Sequence, residues 1–333
     1  MIQRKLEQGM NECAQAEKVV EELLCSTEED YFRLMDASRM EKWIDELGDL
    51  TFQSFSVSMS PNVAAELQAL HEDPGQPWSE ELVRFAASLE GRFEAIFVRT
   101  SMRSPKDAAL HSSRLEPILA ETQRRLIEGP RAKELEGDED NRKMVAFCIA
   151  QTHALAARSG TEAVELLIAS DRIQGDWKEV KEDMLLYVRE FRFFDSTLEL
   201  RAFVHNGCVT ALTSYNQFVH APFHVEHKEE IQQLVCAFLQ THLSKIPDSC
   251  VLDLALVPKT KHCLDATEVS DLEVKIVELN PLAEFAGTGL FSWHHDRPVI
   301  TGKVPFEFRV TEQPPKHQLK LLPVEWKQFL NVA

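Results

Sequence analysis

From residue 184 onward the hydrophobic period of this chain is two, and that change constrains its architecture most. The runs MLLYVREFRFF and LELRAFVHNGCVTALTS alternate apolar and polar side chains. Half-buried strands require this, because successive side chains point to opposite faces. Asn206-Gly207 lies between two alternating runs. Such a pair tolerates the positive φ angles of a type I′ turn, so a two-residue hairpin is predicted there. A helix is expected over about 225–245. Two more strands follow, VLDLALV at 251–257 and LEVKIVELN at 272–280, joined by a polar loop.

The second strand pair carries the chemistry. Its last strand begins as a buried run and ends on Glu278 and Asn280, just before Pro281. Residues two apart on a strand share a face, so the two side chains project together. Asp253 interrupts the neighbouring apolar run. A buried carboxylate needs a compensating charge or several hydrogen bonds. If these strands pair, Asp253 lies across from Glu278 or Asn280. Three hard oxygen donors without sulfur or imidazole suit Mg2+, which completes its shell with water and phosphate. Taken singly, each is better read as a lone polar group at a strand end; the three together point more strongly to a ligand set.

A phosphate partner would have to be held without a glycine-rich loop. The chain has no G-x-x-x-x-G-K-[ST] and no G-x-G-x-x-G, and only 12 glycines. Basic side chains are therefore the candidates. Arg99 ends the buried strand FEAIFVRT (93–100), and the loop after it adds Lys106 and Asp107. Arg201 interrupts LELRAFV beside Glu199. It could clamp a phosphate at two points or form an ion pair with Glu199, Glu278 or Asp253.

The first half is more helical. Residues 1–25 carry Leu6, Met10, Cys13, Val20 and Leu24 at helical steps, which predicts an amphipathic helix. TFQSFSVSM (51–59) reads as a half-exposed strand ended by Pro61, and a helix follows Trp78. From about 114 to 170 the pattern is helical, broken by GPRAKELEGDEDN, which is expected to be a mobile surface insertion.

Composition excludes several classes. With 44% apolar and 27% charged residues, the 333-residue chain reads as globular. It has no apolar stretch long enough for a membrane span and no secretory h-region near its start, so cytoplasm or nucleoplasm is expected. The seven cysteines are scattered and form no C-x-x-C, so most are expected to be reduced core thiols rather than zinc ligands. A net charge of −18 argues against broad nucleic-acid binding and suits a basic protein partner. His220, His224, His227, His294 and His295 are assigned no metal. The five tryptophans, Trp326 among them, are expected in cores or at a lobe interface.

The set PKDA (105–108), LYVREF (186–191), ELRAFV…ALTSYN (199–216), LDLAL (252–256) and VELNP…LFSW (277–293) resembles the cell-division-cycle 123 family. The segment from Trp43 to Val63 resembles the start of that family, so the likeness runs in order over about 40–295. It implies an α+β, ATP-grasp-like fold: two lobes with mainly antiparallel sheets clasping Mg2+-ATP. It further implies an assembly chaperone for eukaryotic translation initiation factor 2, binding the gamma subunit and promoting its joining to alpha, with no nucleic acid or membrane partner. Carried over by position, Asp253, Glu278 and Asn280 look like the metal ligands. Leu186, Tyr187, Val188, Arg189, Glu190 and Phe191 look like a hinge strand meeting adenine with backbone groups. Arg99, Lys106, Asp107, Glu199 and Arg201 fall where nucleotide-contacting groups stand.

Four departures are visible. Arg99 stands where Lys is usual, and Glu278 where the family has Asp. Arg189-Glu190-Phe191 replaces R-K-W, and Tyr215-Asn216 replaces R-D. The expected organisation is an N-terminal helical extension (1–40) and an N-terminal lobe (41–183) with a helical insert over about 114–158. A C-terminal ATP-grasp lobe (184–300) and a tail (301–333) follow. The alternative function is an ATP-grasp ligase that activates a carboxylate as an acyl-phosphate, with Arg201 stabilising the developing charge.

Overall fold

A computed structural model describes residues 27–178, 180–259, 264, 266–315, 322 and 324–330. Its strands form two sheets. The first is antiparallel, in the order β1-β3-β2, from β1 (Ser54–Met59), β2 (Ile96–Thr100) and β3 (Met184–Glu190). The second is ordered β7-β6-β4-β5-β8. It comprises β4 (Leu200–His205), β5 (Cys208–Ser214), β6 (Cys250–Pro258), β7 (Leu272–Asn280) and β8 (Glu307–Arg309). Only β8 runs parallel to its neighbour, β5. The architecture is α+β, as expected.

The β4–β5 turn is the predicted one: Asn206 and Gly207 have φ of 51° and 68°. β6 and β7 pair with Asp253 opposite Glu278. The register shifts at Asp253/Leu254, where Leu254 faces Ile276, so Val277 is an extra residue on β7. Such a bulge breaks strict alternation. Ile276 and Leu279 therefore face one core while Val277 belongs to another.

Helices close the outer faces. The longer ones are α1 (Glu28–Ala37), α2 (Pro61–Glu72), α3 (Glu80–Ser88), α4 (Leu115–Glu128), α5 (Glu139–His153), α6 (Gly160–Ala169), α7 (Asp171–Trp177), α8 (Lys228–His242) and α9 (Val324–Leu330). Several start on a side chain that accepts a backbone N–H: Ser60 for α2, Ser79 for α3, Asp138 for α5 and Ser159 for α6. One core joins the first sheet to α2–α7. A second packs Ile231, Val235 and Leu239 of α8 on the even-numbered side chains of β4 and β6, including Ala202, Leu252 and Leu254. The odd-numbered face of β4 and β6 carries Arg201 and Asp253 and turns toward the first sheet.

Three expectations about organisation change. β3 lies at the centre of the first sheet, so the boundary falls after it rather than at residue 184. Residues beyond 300 are not a simple tail, since β8 extends the second sheet and α9 packs on α5. The charged break before α5 is anchored. Arg131 is 4% exposed and binds Asp195 at 2.5 Å and Glu134 at 2.9 Å, and Leu135 is buried. The helix expected over 1–25 lies outside the described residues.

Candidate functional site

Between the two sheets lies a cleft of about 410 Å3. Its floor is set by the strand ends and the bulge. Arg201 on β4 grips Asp253 on β6 through Nε to Oδ1 (2.7 Å) and Nη2 to Oδ2 (3.0 Å). Asn280 donates from Nδ2 to Asp253 Oδ2 at 3.2 Å. Glu278, opposite Asp253, accepts from Arg99 Nη2 at 2.7 Å and stands 4.0 Å from Lys106 Nζ. The two sheets thus meet through Arg99 of β2 and Glu278 of β7.

Arg189 makes a second link. Its guanidinium donates to Val277 O (2.7 Å) and to Thr51 Oγ1 (2.6 Å), and it lies over the Phe52 ring. Thr51 in turn donates to Ile276 O at 2.6 Å. The Arg189 side chain is 2% exposed, with no carboxylate among these contacts and its Nε unpartnered among the described residues. Burial, then the charge of Arg99, lowers its pKa to about 9, so it stays cationic at neutral pH.

Lys106 donates to the Tyr215 hydroxyl at 3.2 Å. The Tyr215 ring also lies under Arg201, 4.9 Å from its guanidinium carbon to the ring centre. Tyr215 and then the nearby carboxylates hold the Lys106 ammonium above its ordinary range, against the opposing effect of burial. Burial would raise Glu278, but Arg99 and Lys106 outweigh it and hold the carboxylate well below its ordinary range. Glu199 differs: burial pushes it up to about 7, and Lys106 only partly offsets this. Four cations, Arg99, Lys106, Arg189 and Arg201, therefore stand in the neighbourhood of Asp253, Glu278 and Glu199. That excess of positive charge suits a polyanion.

The loop after β7 closes over this group. Gly287 O accepts from Arg201 Nη1 at 2.6 Å, and the Trp293 indole donates to Ala286 O at 2.7 Å. On its outer side, Phe285 meets Tyr31 of α1, ring centres 5.0 Å apart.

Among the residues singled out from sequence, Arg99, Lys106, Asp107, Arg189, Glu190, Phe191, Glu199 and Glu278 line the cleft. Asp253, Asn280 and Arg201 join them through the bonds above. Asp107 is committed locally, accepting from Ser170 Oγ (2.5 Å) and the Arg172 backbone N–H (3.0 Å). Leu186, Tyr187 and Val188 do not reach the cleft. Leu186 and Val188 sit in the first core and Tyr187 in the second, and their strand is paired on both edges. A doubly paired strand has no backbone groups left for a base. The Glu190 and Phe191 N–H groups are also taken, by Gln53 O (2.7 Å) and Ala95 O (2.9 Å).

The rest of the wall was not foreseen. Cys148, Gln151 and Thr152 of α5, Phe97 of β2, Asn216 and Trp326 of α9 all line the cavity. Asn216 donates to Cys148 Sγ at 3.2 Å. Long-range contributions such as Trp326 leave no local sign. Among the described residues no three His, Cys, Asp or Glu side chains form a metal cluster, and no helix is long and apolar enough to cross a membrane. Cys148 and Cys250 are buried free thiols, whereas Cys208 is exposed.

Cdc123 from Schizosaccharomyces pombe is similar in structure, with a TM-score of 0.57 and 17% identity over 84% of this chain and 98% of that chain. A C-terminally truncated Cdc123 from the same organism gives a TM-score of 0.57 and 14% identity, with 84% and 98% of the two chains covered. At these identities the likeness speaks for the fold. No curated protein sequence matches the chain. The model of the D123 family matches residues 146–325, more than half of the sequence, and on that match the chain belongs to the D123 family, that of Cdc123.

Proposed function

We propose that the cleft between the sheets binds Mg2+-ATP in an ATP-grasp arrangement. The bound protein would act as an assembly chaperone for eukaryotic translation initiation factor 2 in the cytoplasm, through that factor's gamma subunit. The observation that carries the nucleotide half is the convergence of Arg99, Lys106, Arg189 and Arg201 around Glu278, Asp253 and Asn280. Cations of this kind take up phosphate oxygens, and the guanidinium groups can do so at two points.

The donors fit a magnesium ion. They are two carboxylates and an amide, all hard oxygens. Among the described residues Glu278 Oε2 has only the Lys106 contact at 4.0 Å, and Asn280 engages Asp253 through its nitrogen, which leaves its oxygen available. Asp253 accepts three hydrogen bonds from Arg201 and Asn280, and a carboxylate offers about four lone-pair sites. Glu278, Asn280 and Asp253 would hold the ion, whose charge would offset that of the phosphates. Arg99 and Lys106 would bind phosphate from the first-sheet side, and Arg201 from the second.

The chaperone half rests on family membership, and the net charge of −18 suits a basic partner surface. With ATP bridging the sheets, the angle between them would be fixed, and with it any surface that spans both. A ligand that binds only the folded state raises the melting temperature. Mg2+-ATP is therefore expected to raise it by several degrees, and an unmoved transition would remove the nucleotide reading. Immobilised protein is expected to retain the purified gamma subunit. ATP binding without gamma binding would remove the chaperone role alone.

A further inference from the structure

Trp326 sits on α9, after the last strand, yet it lines the same cavity as Lys106 and Glu278. The helix is seated there by packing. Trp326 and Phe329 both rest on Phe147 of α5, with ring centres 5.1 and 5.9 Å away, and Leu330 is 2% exposed. Phe147 itself is fully buried, so the platform under Trp326 is rigid. Trp326 remains half-buried, with one face against α5 and part of its surface toward the cleft. The same cavity is also lined by the apolar side chains Phe97, Leu110, Leu155 and Phe191. The cations cluster instead around Glu278 and Tyr215.

We infer that Trp326 forms part of the wall that binds the base of the nucleotide, so that α9 and cleft occupancy are thermodynamically linked. This rests on the nucleotide reading and adds a residue and a consequence to it. An indole is a broad stacking surface whose contact with a base adds affinity without strong base selectivity. By linkage, whatever holds α9 on α5 favours nucleotide binding, and nucleotide favours the seated helix to the same extent. The C-terminal segment then reports whether the cleft is filled.

The test compares ATP with inorganic tripolyphosphate, each with Mg2+, by calorimetry on the full chain. Tripolyphosphate uses only the cations, whereas ATP also uses the base wall. Trp326→Ala is expected to weaken ATP about ten- to a hundredfold while tripolyphosphate affinity stays within about twofold. Trp326→Phe, which keeps a ring on the platform, is expected to recover most of the ATP affinity. ATP should quench tryptophan emission in the wild type and lose most of that quench in Trp326→Phe. Equal ATP affinity in wild type and Trp326→Ala overturns the inference while leaving the nucleotide reading intact. An equal loss for both ligands overturns it too, because the helix would then act only on the fold. A wild type that binds neither ligand overturns both readings.

Discussion

Arg201 holds both carboxylate oxygens of Asp253 across the β4–β6 ladder, at 2.7 and 3.0 Å. The two are direct partners in the register, with side chains only 11% and 2% exposed. Removing one member of such a pair strands the other charge, at a cost of about 3–5 kcal/mol. Asp253→Ala is therefore expected to lose about that much stability in urea denaturation with no ligand present. The loss comes before any metal is considered, so this variant alone is an ambiguous probe of the magnesium site. Asn280→Ala is cleaner, since it removes an amide oxygen and one 3.2 Å hydrogen bond and leaves the Arg201 clamp in place. Its stability is expected to fall by only about 1 kcal/mol, while ATP affinity loses its magnesium dependence. An unchanged urea midpoint for Asp253→Ala would contradict the pairing.

Glu199 and His224 give stability opposite pH slopes. Glu199 is raised by burial to about 7 from an ordinary 4.5, so the folded protein holds its proton longer than the unfolded chain. Its contribution is fully present below about 4.5 and is lost as pH rises toward 7. His224, 2% exposed, is lowered by burial to about 4 from 6.5. Its contribution is present above 6.5 and is lost as pH falls through 4. In Glu199→Gln the falling contribution is removed and His224 is unopposed, so melting temperature should rise more steeply with pH between about 4.5 and 6.5 than in the wild type. If that variant follows the wild-type profile, Glu199 does not titrate in this window.

Local pattern made the second sheet legible, and local pattern is also where legibility ended. Asn206-Gly207 specified its hairpin because few residue pairs accept two consecutive positive φ angles. The β6–β7 pair was legible from two neighbouring apolar runs, while the choice of Glu278 over Asn280 as the partner of Asp253 is settled only by the register. The bulge at Val277 was hidden, since Ile276-Val277 reads equally well as ordinary buried strand. β3 was assigned to the wrong lobe because its apolar alternation does not say which sheet it joins. Arg131 looked solvent-facing in a charged break, but its partner Asp195 is 64 residues away. Trp326 reaches the cleft only because α9 folds back on α5. Pairings across long separations, rather than local propensity, decide these cases.

Two glycines in the loop over Arg201 separate backbone need from side-chain room. Gly289 has φ +61°, and an added Cβ would stand 2.6 Å from Thr213 Cγ2 and 2.9 Å from Ser214 O. Conformation and space both exclude a side chain there. Gly289→Ala is expected to destabilise by about 1–3 kcal/mol and to displace the loop. At Gly287 the added Cβ would meet only the end of the Arg201 side chain, 2.6 Å from Nη1. Gly287→Ala is expected to cost less stability, because a guanidinium can shift where a backbone carbonyl cannot. Chemical denaturation of the two variants checks the order, and a larger loss for Gly287→Ala would reverse this account.

Lys106 and Arg99 both face Glu278, but their removal should read differently. Arg99 is 4% exposed and bonded to Glu278 at 2.7 Å, so Arg99→Met leaves a carboxylate that is only 17% exposed without its main partner. A stability loss of about 3 kcal/mol or more is expected. Lys106 is 39% exposed, and its nearest approach to Glu278 is 4.0 Å. Exposed ion pairs are worth at most about 1 kcal/mol. Its other contact, the Tyr215 hydroxyl at 3.2 Å, can be replaced by water on the open side of the cleft. Lys106→Met should therefore leave the urea midpoint near that of the wild type. A charge-assisted hydrogen bond to phosphate contributes about 1.5–3 kcal/mol, so the same variant should weaken Mg2+-ATP by about ten- to a hundredfold. Denaturation and calorimetry on one preparation settle both halves: a Lys106→Met protein that keeps full ATP affinity would place the phosphates elsewhere in the cleft.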